Sequence, residues 1–105
     1  MNLFQDILKQ LPDANHIKEI KLFDHQGHQS GVILNKPGAV GSIKLYNHLF
    51  LVFGELNTKA AIEGLSLYCE HVKDAKDNPG KHPNIDRLLN ITKSKETFKI
   101  EIFNT

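Results

Sequence analysis

The fold of this chain depends on the structure assigned to the stretch IKLYNHLFLVF, residues 43–53. With the period of an α-helix, one stripe of large apolar side chains results, made of Ile43, Tyr46, Phe50 and Phe53. With the period of a strand, both faces are apolar, as in a buried strand. Ser42 before the stretch and Gly54 after it are typical of a helix cap and a helix stop, and the length also favours a helix. We therefore predict a helix.

A short helix and a hairpin are predicted before this stretch. Apolar residues recur at helical spacing between Asn2, a good capping residue, and Pro12, which ends the pattern. Two strands are expected at residues 17–23 and 32–34, and Gly27 supplies a turn between them. The two strands should therefore pair as a hairpin.

Two more helices and a final strand are predicted after the stretch. Asn57 is expected to cap a long helix that runs to about Asp77, and Asn84 is expected to cap a shorter one. The segment 78–80, Asn-Pro-Gly, has the composition of a type II turn. In residues 98–102, apolar and charged side chains alternate, which indicates a half-buried strand.

The long helix is expected to bury one face, made of Ala61, Ile62, Leu65, Tyr68, Cys69 and Val72. Gly64 lies inside this helix, where glycine costs about 1 kcal/mol relative to alanine. Because Ala60 and Ala61 are also small, Gly64 indicates a close crossing with another helix.

The predicted order of elements is α-β-β-α-α-α-β. In the first strand, Lys18, Ile20 and Leu22 fall on one face of the alternation. Alternating strands have one face towards solvent, so we expect an antiparallel sheet of about three strands with helices packed on its other face. The chain of 105 residues therefore predicts one α+β domain over residues 1–105.

Composition excludes several classes of function. The formal net charge of +1 gives no long-range field that would attract nucleic acid. The longest apolar run, residues 49–53, is far too short to cross a bilayer. Cys69 is the only cysteine, and no signal peptide pattern is seen at the start of the sequence. We expect a cytoplasmic protein with no nucleic-acid partner and no membrane partner.

One segment carries a resemblance to a known family. The stretch NPGKHPNIDRLL, residues 78–89, resembles the signature of small bacterial proteins that are known only as a domain of unknown function. Shorter matches lie elsewhere, at residues 4–8, 41–42, 46–47, 53–54, 63–65 and 70–71, so the resemblance extends over nearly the whole chain. It implies a bacterial protein, and it implies no activity.

The same region holds the richest group of polar side chains, namely Glu70, His71, Lys81, His82, Asp86 and Arg87. A helix start offers free N–H groups and a partial positive charge, so Lys81, His82 and Arg87 are candidates for an anion pocket, with His71 or Asp86 assisting. In the other interpretation the segment is an ordinary helix connection. Asn84 would then satisfy one N–H group and Asp86 would complement the helix dipole.

No catalytic motif is present, and we assign no catalytic residue, no cofactor and no metal. His25 and His28 have a metal-like spacing, but no further ligand lies near them in the sequence. Cys69 falls on the predicted apolar face, where a thiol is usually inert.

Two hypotheses for function follow. Residues 43–53 are more apolar than one buried face requires. If Leu51 lies opposite the core stripe, part of this apolar surface stays exposed in a single copy; in the other interpretation the helix is central and covered on all sides. The first hypothesis is a non-catalytic binding or accessory protein that uses residues 43–53 for self-association or for an unknown protein partner. The alternative is an anion-binding or phosphometabolite-binding protein, or a small enzyme, with its site at the turn 81–87.

Overall fold

A computed structural model describes residues 3–105, which form five helices and three strands. In chain order these are α1 (Phe4–Gln10), β1 (Ile17–Phe23), β2 (Gln29–Leu34), α2 (Val40–Phe53), α3 (Thr58–Tyr68), α4 (His71–Asp77), α5 (Pro83–Ser94) and β3 (Lys99–Asn104). The predicted order is confirmed, with the long predicted helix divided into α3 and α4. Asn2, the expected cap of the first helix, lies outside the described residues.

The strands form one antiparallel sheet in the order β2-β1-β3. The predicted hairpin is present, and Ile20 of the central strand β1 pairs with Ile33 on one side and Ile102 on the other. Ile33 is buried, whereas its neighbours Val32 and Leu34 are 42% and 43% exposed. One face of the sheet therefore packs against helices while the other is open to solvent, as an α+β layer requires.

An irregularity in β1 changes the face on which Lys18 lies. The register of β1 against β3 shifts between Ile17 and Glu19. Ile17 and Ile20 are both fully buried, although residues three positions apart point to opposite faces of a regular strand. Lys18 is exposed, so its predicted place beside Ile20 and Leu22 was wrong.

Residues 43–53 lie in helix α2, as predicted. The helix begins at Val40, so Ser42 lies in the first turn and is not the cap. Gly54 ends the helix with a φ of 77°, and its N–H donates to the carbonyl of Phe50 at 2.8 Å. Helix α2 packs against the sheet and against α1 and α3. Its buried side chains are Ile43, Leu45, Tyr46, Asn47 and Leu49.

The helix predicted from Asn57 to about Asp77 is interrupted at Cys69. Asn57 caps α3 as predicted, because its side chain accepts a hydrogen bond from the N–H of Ala60 at 2.8 Å. Cys69 has a φ of 54°, in the left-handed region, and α4 starts two residues later at His71. Helical backbone cannot pass through such a residue, so one predicted helix becomes two.

Gly64 provides the predicted close helix crossing. A Cβ atom at Gly64 would lie 2.7 Å from Leu88 Cδ1 of α5 and 3.1 Å from Leu49 Cδ1 of α2. Ile62 was expected on the same buried face, but it is 57% exposed. The reason is geometric, since Ile62 is two positions before Gly64 and lies roughly 200° around the helix from it.

The buried side chains of the sheet and helices belong to one core cluster, which includes Ile20, Tyr46 and Leu88. Within residues 3–105, no helix has both the length and the apolar character needed to cross a membrane. Parts of α1, α2, α4 and α5 meet at one side of this core, where they surround a cleft.

Candidate functional site

An open cleft of about 730 Å³ lies where α1, the start of α2 and the turn between α4 and α5 come together. Its lining comprises Phe4, Gln5 and Leu8 of α1, the segments 36–42 and 81–85, and the side chains of Tyr68 and His71. Four of the lining side chains are basic, namely Lys36, His71, Lys81 and His82. Within the described residues, the lining contains no aspartate or glutamate. The cleft is therefore a cationic surface with an apolar wall.

Asp74 in α4 organises the turn that leads to α5. Its Oδ2 atom lies 2.6 Å from Nε2 of His82 and 3.0 Å from Nζ of Lys81. Its Oδ1 atom accepts a hydrogen bond from Asn78 Nδ2 at 3.0 Å. The hydrogen bonds from His82 and then Lys81 lower the pKa of Asp74 from 3.8 to about 2. An ionised carboxylate only accepts hydrogen bonds, so Nε2 of His82 carries the proton in this contact.

Phe4 joins α1 to the junction between α3 and α4. Its ring stacks on Tyr68 with centroids 5.1 Å apart and meets His71 edge-on at 5.2 Å. The backbone N–H of Phe4 donates to Glu70 Oε1 at 2.9 Å, and this bond lowers the pKa of Glu70. Tyr68, Glu70 and His71 together hold the α1 wall of the cleft in place. On its other side, the ring of His71 lies 5.8 Å from that of His82.

The start of α5 differs from the prediction. The helix begins at Pro83, with His82 in the cap position, so the prediction that Asn84 is the cap was wrong. Proline is favoured at the first helical position because its φ is already helical and its missing N–H costs nothing there. Asn84 lies in the first turn, where its Oδ1 accepts a hydrogen bond from Arg87 Nη1 at 3.1 Å.

Arg87 and Asp86 bind structural partners and do not line the cleft themselves. Arg87 Nη1 donates to Tyr46 Oη at 3.0 Å, and Tyr46 Oη donates to the carbonyl of Asn84 at 2.6 Å. Burial raises the pKa of Tyr46, so this phenol is neutral and acts as both donor and acceptor. Asp86 Oδ2 accepts a hydrogen bond from the N–H of Gly80 at 3.0 Å, which fixes the predicted turn.

The structure divides the predicted site cluster. His71, Lys81 and His82 line the cleft together, whereas Asp86 and Arg87 do not. Glu70 also stays out of the lining and binds α1 instead. Arg87 and Asp86 contribute to a smaller groove of about 370 Å³ next to α5.

Several site residues were missed by the sequence prediction, namely Phe4, Lys36, Tyr68 and Asp74. The sequence did contain a signal for Asp74. Asp74 lies four residues before Asn78 and His82 four residues after it, so a chain that turns back at Asn78 brings the two side chains together. For Phe4 and Lys36 the sequence contains no signal, because they reach the cleft only through the packing of α1 and α2.

The pair His25 and His28 lies in the hairpin turn. Asp24 shapes this turn by accepting hydrogen bonds from the N–H groups of Gln26 and His28, both at 2.9 Å. Among residues 3–105, no group of three or more His, Cys, Asp or Glu side chains is placed to hold a metal ion.

A second surface feature is apolar. Leu51 and Val52 of α2 are 60% and 59% exposed, and Ile62 of α3 is 57% exposed. The two helices meet beside these residues, where His48 Nε2 lies 3.7 Å from Glu63 Oε2. Leu51 is therefore turned away from the core, as its position opposite the buried stripe predicted.

Comparison with known proteins identifies the family. The family model described as "Uncharacterized protein conserved in bacteria (DUF2322)" matches residues 4–102. No curated protein matches the chain, and no solved structure matches it. The match includes every residue that lines the cleft, and it agrees with the bacterial family that the sequence resembles. The chain belongs to the DUF2322 family.

Proposed function

We propose that this protein binds a small organic anion in the cleft between α1, the start of α2 and the turn before α5. The observation that carries the proposal is the lining itself, which has four basic side chains and, within residues 3–105, no carboxylate. The volume of about 730 Å³ lies within the ~300–1,000 Å³ of typical small-molecule pockets.

The charges around the cleft favour an anion. Lys36 and Lys81 both line it, and two carboxylates lie behind the lining: Asp74 contacts Lys81, and Glu70 Oε2 lies 3.9 Å from His71 Nε2. With both histidines neutral, these two carboxylates offset two positive charges, and the positive charge of the lining is then concentrated at Lys36, which forms no ion pair within residues 3–105. In addition, the first turn of α2 has no acidic residue and no side-chain cap, so its N–H groups add to the positive potential.

The apolar part of the lining indicates that the ligand also has an apolar body. Leu8, Pro37 and Val40 contribute accessible hydrocarbon surface, and Val40 is 49% exposed. Burying part of an apolar group there contributes about 25 cal/mol per Å². A bare inorganic anion would leave this wall unused, so we expect an organic anion.

Calorimetric titration with phenylacetate and with phenylacetamide tests the proposal. The two molecules have nearly the same shape, but only phenylacetate is charged. We expect phenylacetate to bind on the order of tenfold more tightly than phenylacetamide, because the carboxylate meets the cationic lining. Equal affinities, or failure of phenylacetate to bind up to its solubility limit, would contradict the proposal.

Matched lysine variants locate the binding. Lys36→Gln and Lys81→Gln each remove one charge from the lining and should weaken phenylacetate binding several-fold. Lys73→Gln removes the same charge from α4, where Lys73 pairs with Asp77 at 2.7 Å and does not line the cleft. The Lys73→Gln variant should bind phenylacetate like the wild type, and an equal loss in all three variants would indicate a non-specific charge effect.

A second candidate function is self-association through the apolar surface of α2 and α3. It is favoured by the exposure of Leu51, Val52 and Ile62, each more than half exposed in one copy of the chain. Contact with a second copy would cover these side chains. In this proposal the cleft remains open, so the two functions are compatible.

Light scattering over a concentration series tests the self-association. We expect the mass to rise from that of one chain to that of two chains as the concentration increases. Leu51→Asp should keep the protein monomeric, whereas Lys73→Asp, a change at an exposed position of α4, should not. A monomeric mass at every concentration would contradict this second candidate.

A further inference from the structure

Within residues 3–105, one of the two ring nitrogens of His82 forms a hydrogen bond and the other forms none. Nε2 donates to Asp74 at 2.6 Å, as shown above. Although His82 is the cap residue of α5, its side chain makes no capping hydrogen bond. No donor within residues 3–105 is paired with Nδ1 of His82.

The contact with Asp74 fixes the chemical character of Nδ1. A neutral imidazole carries one proton, and here the proton is on Nε2 because the carboxylate of Asp74 can only accept. Nδ1 is then a hydrogen-bond acceptor. His82 lines the cleft together with Lys36 and Lys81, and 25% of its side chain is exposed, so its ring is accessible to a ligand in the cleft.

We propose that the ligand is an organic anion with a hydroxyl group next to its carboxylate, as in a 2-hydroxy acid, and that this hydroxyl donates to Nδ1 of His82 while the carboxylate binds Lys81. This inference rests on the proposed anion-binding function. Lys81 and His82 contact the same oxygen of Asp74, at 3.0 Å and 2.6 Å, so the two groups that would bind the ligand are neighbours.

The charge of the cleft selects the hydroxyl over other donors. A 2-amino acid also has a donor next to its carboxylate, but its ammonium group would lie in the positive potential of Lys36 and Lys81. A hydroxyl group donates without adding positive charge. An anion without a neighbouring donor would leave Nδ1 of His82 unpaired when it excludes water from the cleft, which is unfavourable.

The experiment compares three probes on the wild-type protein at mildly alkaline pH, where imidazole side chains are ordinarily neutral. These are mandelate, phenylacetate and 2-methoxy-2-phenylacetate. Mandelate adds a hydroxyl to phenylacetate, and the methoxy probe retains the oxygen but has no donor. We expect mandelate to bind about three- to tenfold more tightly than phenylacetate, and the methoxy probe to show no such gain.

Two variants assign the gain to His82. His82→Phe keeps a ring but has no acceptor, and it should bind mandelate and phenylacetate with equal affinity. His82→Asn presents an amide oxygen close to the position of Nδ1, and it should restore part of the preference for mandelate. In the wild type, nitrogen chemical shifts of the His82 ring should show a protonated Nε2 and an unprotonated Nδ1, a measurement that needs no variant.

The outcomes separate this inference from the function on which it rests. If phenylacetate binds as tightly as mandelate, the inference is wrong while the anion-binding function stands. If neither binds, the proposed function itself is contradicted. A His82 ring protonated at Nδ1 and not at Nε2 would overturn the inference whatever the affinities are, since Nδ1 would then be a donor.

Discussion

Asp74 and His82 are joined by a hydrogen bond of 2.6 Å across the turn between α4 and α5. The same carboxylate lies 3.0 Å from Lys81 and accepts from Asn78, so one side chain of α4 organises most of the turn. These contacts give the turn a defined shape and give His82 a defined tautomer. A single acidic residue thus links the stability of this region to the chemistry of the cleft.

The first prediction concerns the acid stability of the pair. Because the pKa of Asp74 is lowered from 3.8 to about 2, its contribution to stability is fully present above pH 3.8 and is lost as the pH falls through about 2. We expect Asp74→Asn to lower the free energy of unfolding at neutral pH. The difference between variant and wild type should shrink as the pH falls from about 4 towards about 2.

Urea denaturation at a series of pH values measures this difference. Asp77→Asn is the matched control, because Asp77 is on the same helix but its side chain pairs only with the exposed Lys73. The control should change stability little at any pH, as exposed ion pairs usually do. A pH-independent difference for Asp74→Asn would contradict the lowered pKa.

The second prediction is that Arg87 and Tyr46 stabilise the fold and do not bind the ligand. Tyr46 is fully buried, and its hydroxyl contacts both Arg87 and the carbonyl of Asn84. Tyr46→Phe should lower the free energy of unfolding by about 1–3 kcal/mol, since it leaves buried partners unpaired. Arg87→Gln should also destabilise the protein, and its affinity for phenylacetate should stay within about twofold of the wild type.

A double-mutant cycle on Tyr46→Phe and Arg87→Gln provides the check. Because the two side chains contact each other, their effects on unfolding should be non-additive. Additive effects would show that the contact contributes nothing. A strong loss of phenylacetate binding in Arg87→Gln would instead show that Arg87 contributes to anion binding, as the sequence analysis predicted.

Sequence patterns predicted the elements that depend on local chemistry. Residues 43–53 form a helix because apolar spacing, length and Gly54 all agree, and Asn57 caps α3 because its side chain reaches the N–H of Ala60. The break at Cys69 had no such signal. Cys69 has a φ of 54° although it is not a glycine, and neither a glycine nor a proline stands next to it in the sequence.

The candidate site was only partly predictable for a similar reason. Lys81 and His82 belong to a turn whose sequence signals were clear, and both reach the cleft. Asp86 and Arg87 follow closely in sequence, but the helix that starts at Pro83 rotates successive side chains by about 100° and carries these two away from the cleft. Asp86 and Arg87 are therefore close to Lys81 and His82 in sequence, but they do not line the cleft with them.

The third prediction concerns the helix crossing at Gly64. Gly64→Ala gains about 1 kcal/mol of helix propensity, but the new Cβ would lie 2.7 Å from Leu88 Cδ1. Leu88 and Leu49 are fully buried, so neither can move away freely. Overpacking typically costs about 1–3 kcal/mol, and we expect a net loss of roughly 1 kcal/mol or more in the free energy of unfolding.

Thermal or urea denaturation of Gly64→Ala and of a control variant measures this change in the free energy of unfolding. Ser66→Ala is the control, since Ser66 is exposed on the same helix and the change should be neutral within about 0.5 kcal/mol. A Gly64→Ala protein more stable than the wild type would mean that the crossing has room for a methyl group.

The fourth prediction is that Glu70 holds α1 against the cleft. Glu70 Oε1 accepts the N–H of Phe4, the first residue of α1, at 2.9 Å, and the same bond lowers the pKa of Glu70. Glu70→Ala removes this acceptor, so the amides of α1 should exchange with solvent several-fold faster, while those of α2 and α5 keep their protection. Glu63→Ala removes an equivalent charge from α3, near His48 and away from Phe4, and should leave exchange in α1 unchanged. Equal exchange in both variants would mean that the aromatic contacts of Phe4 alone hold α1 in place.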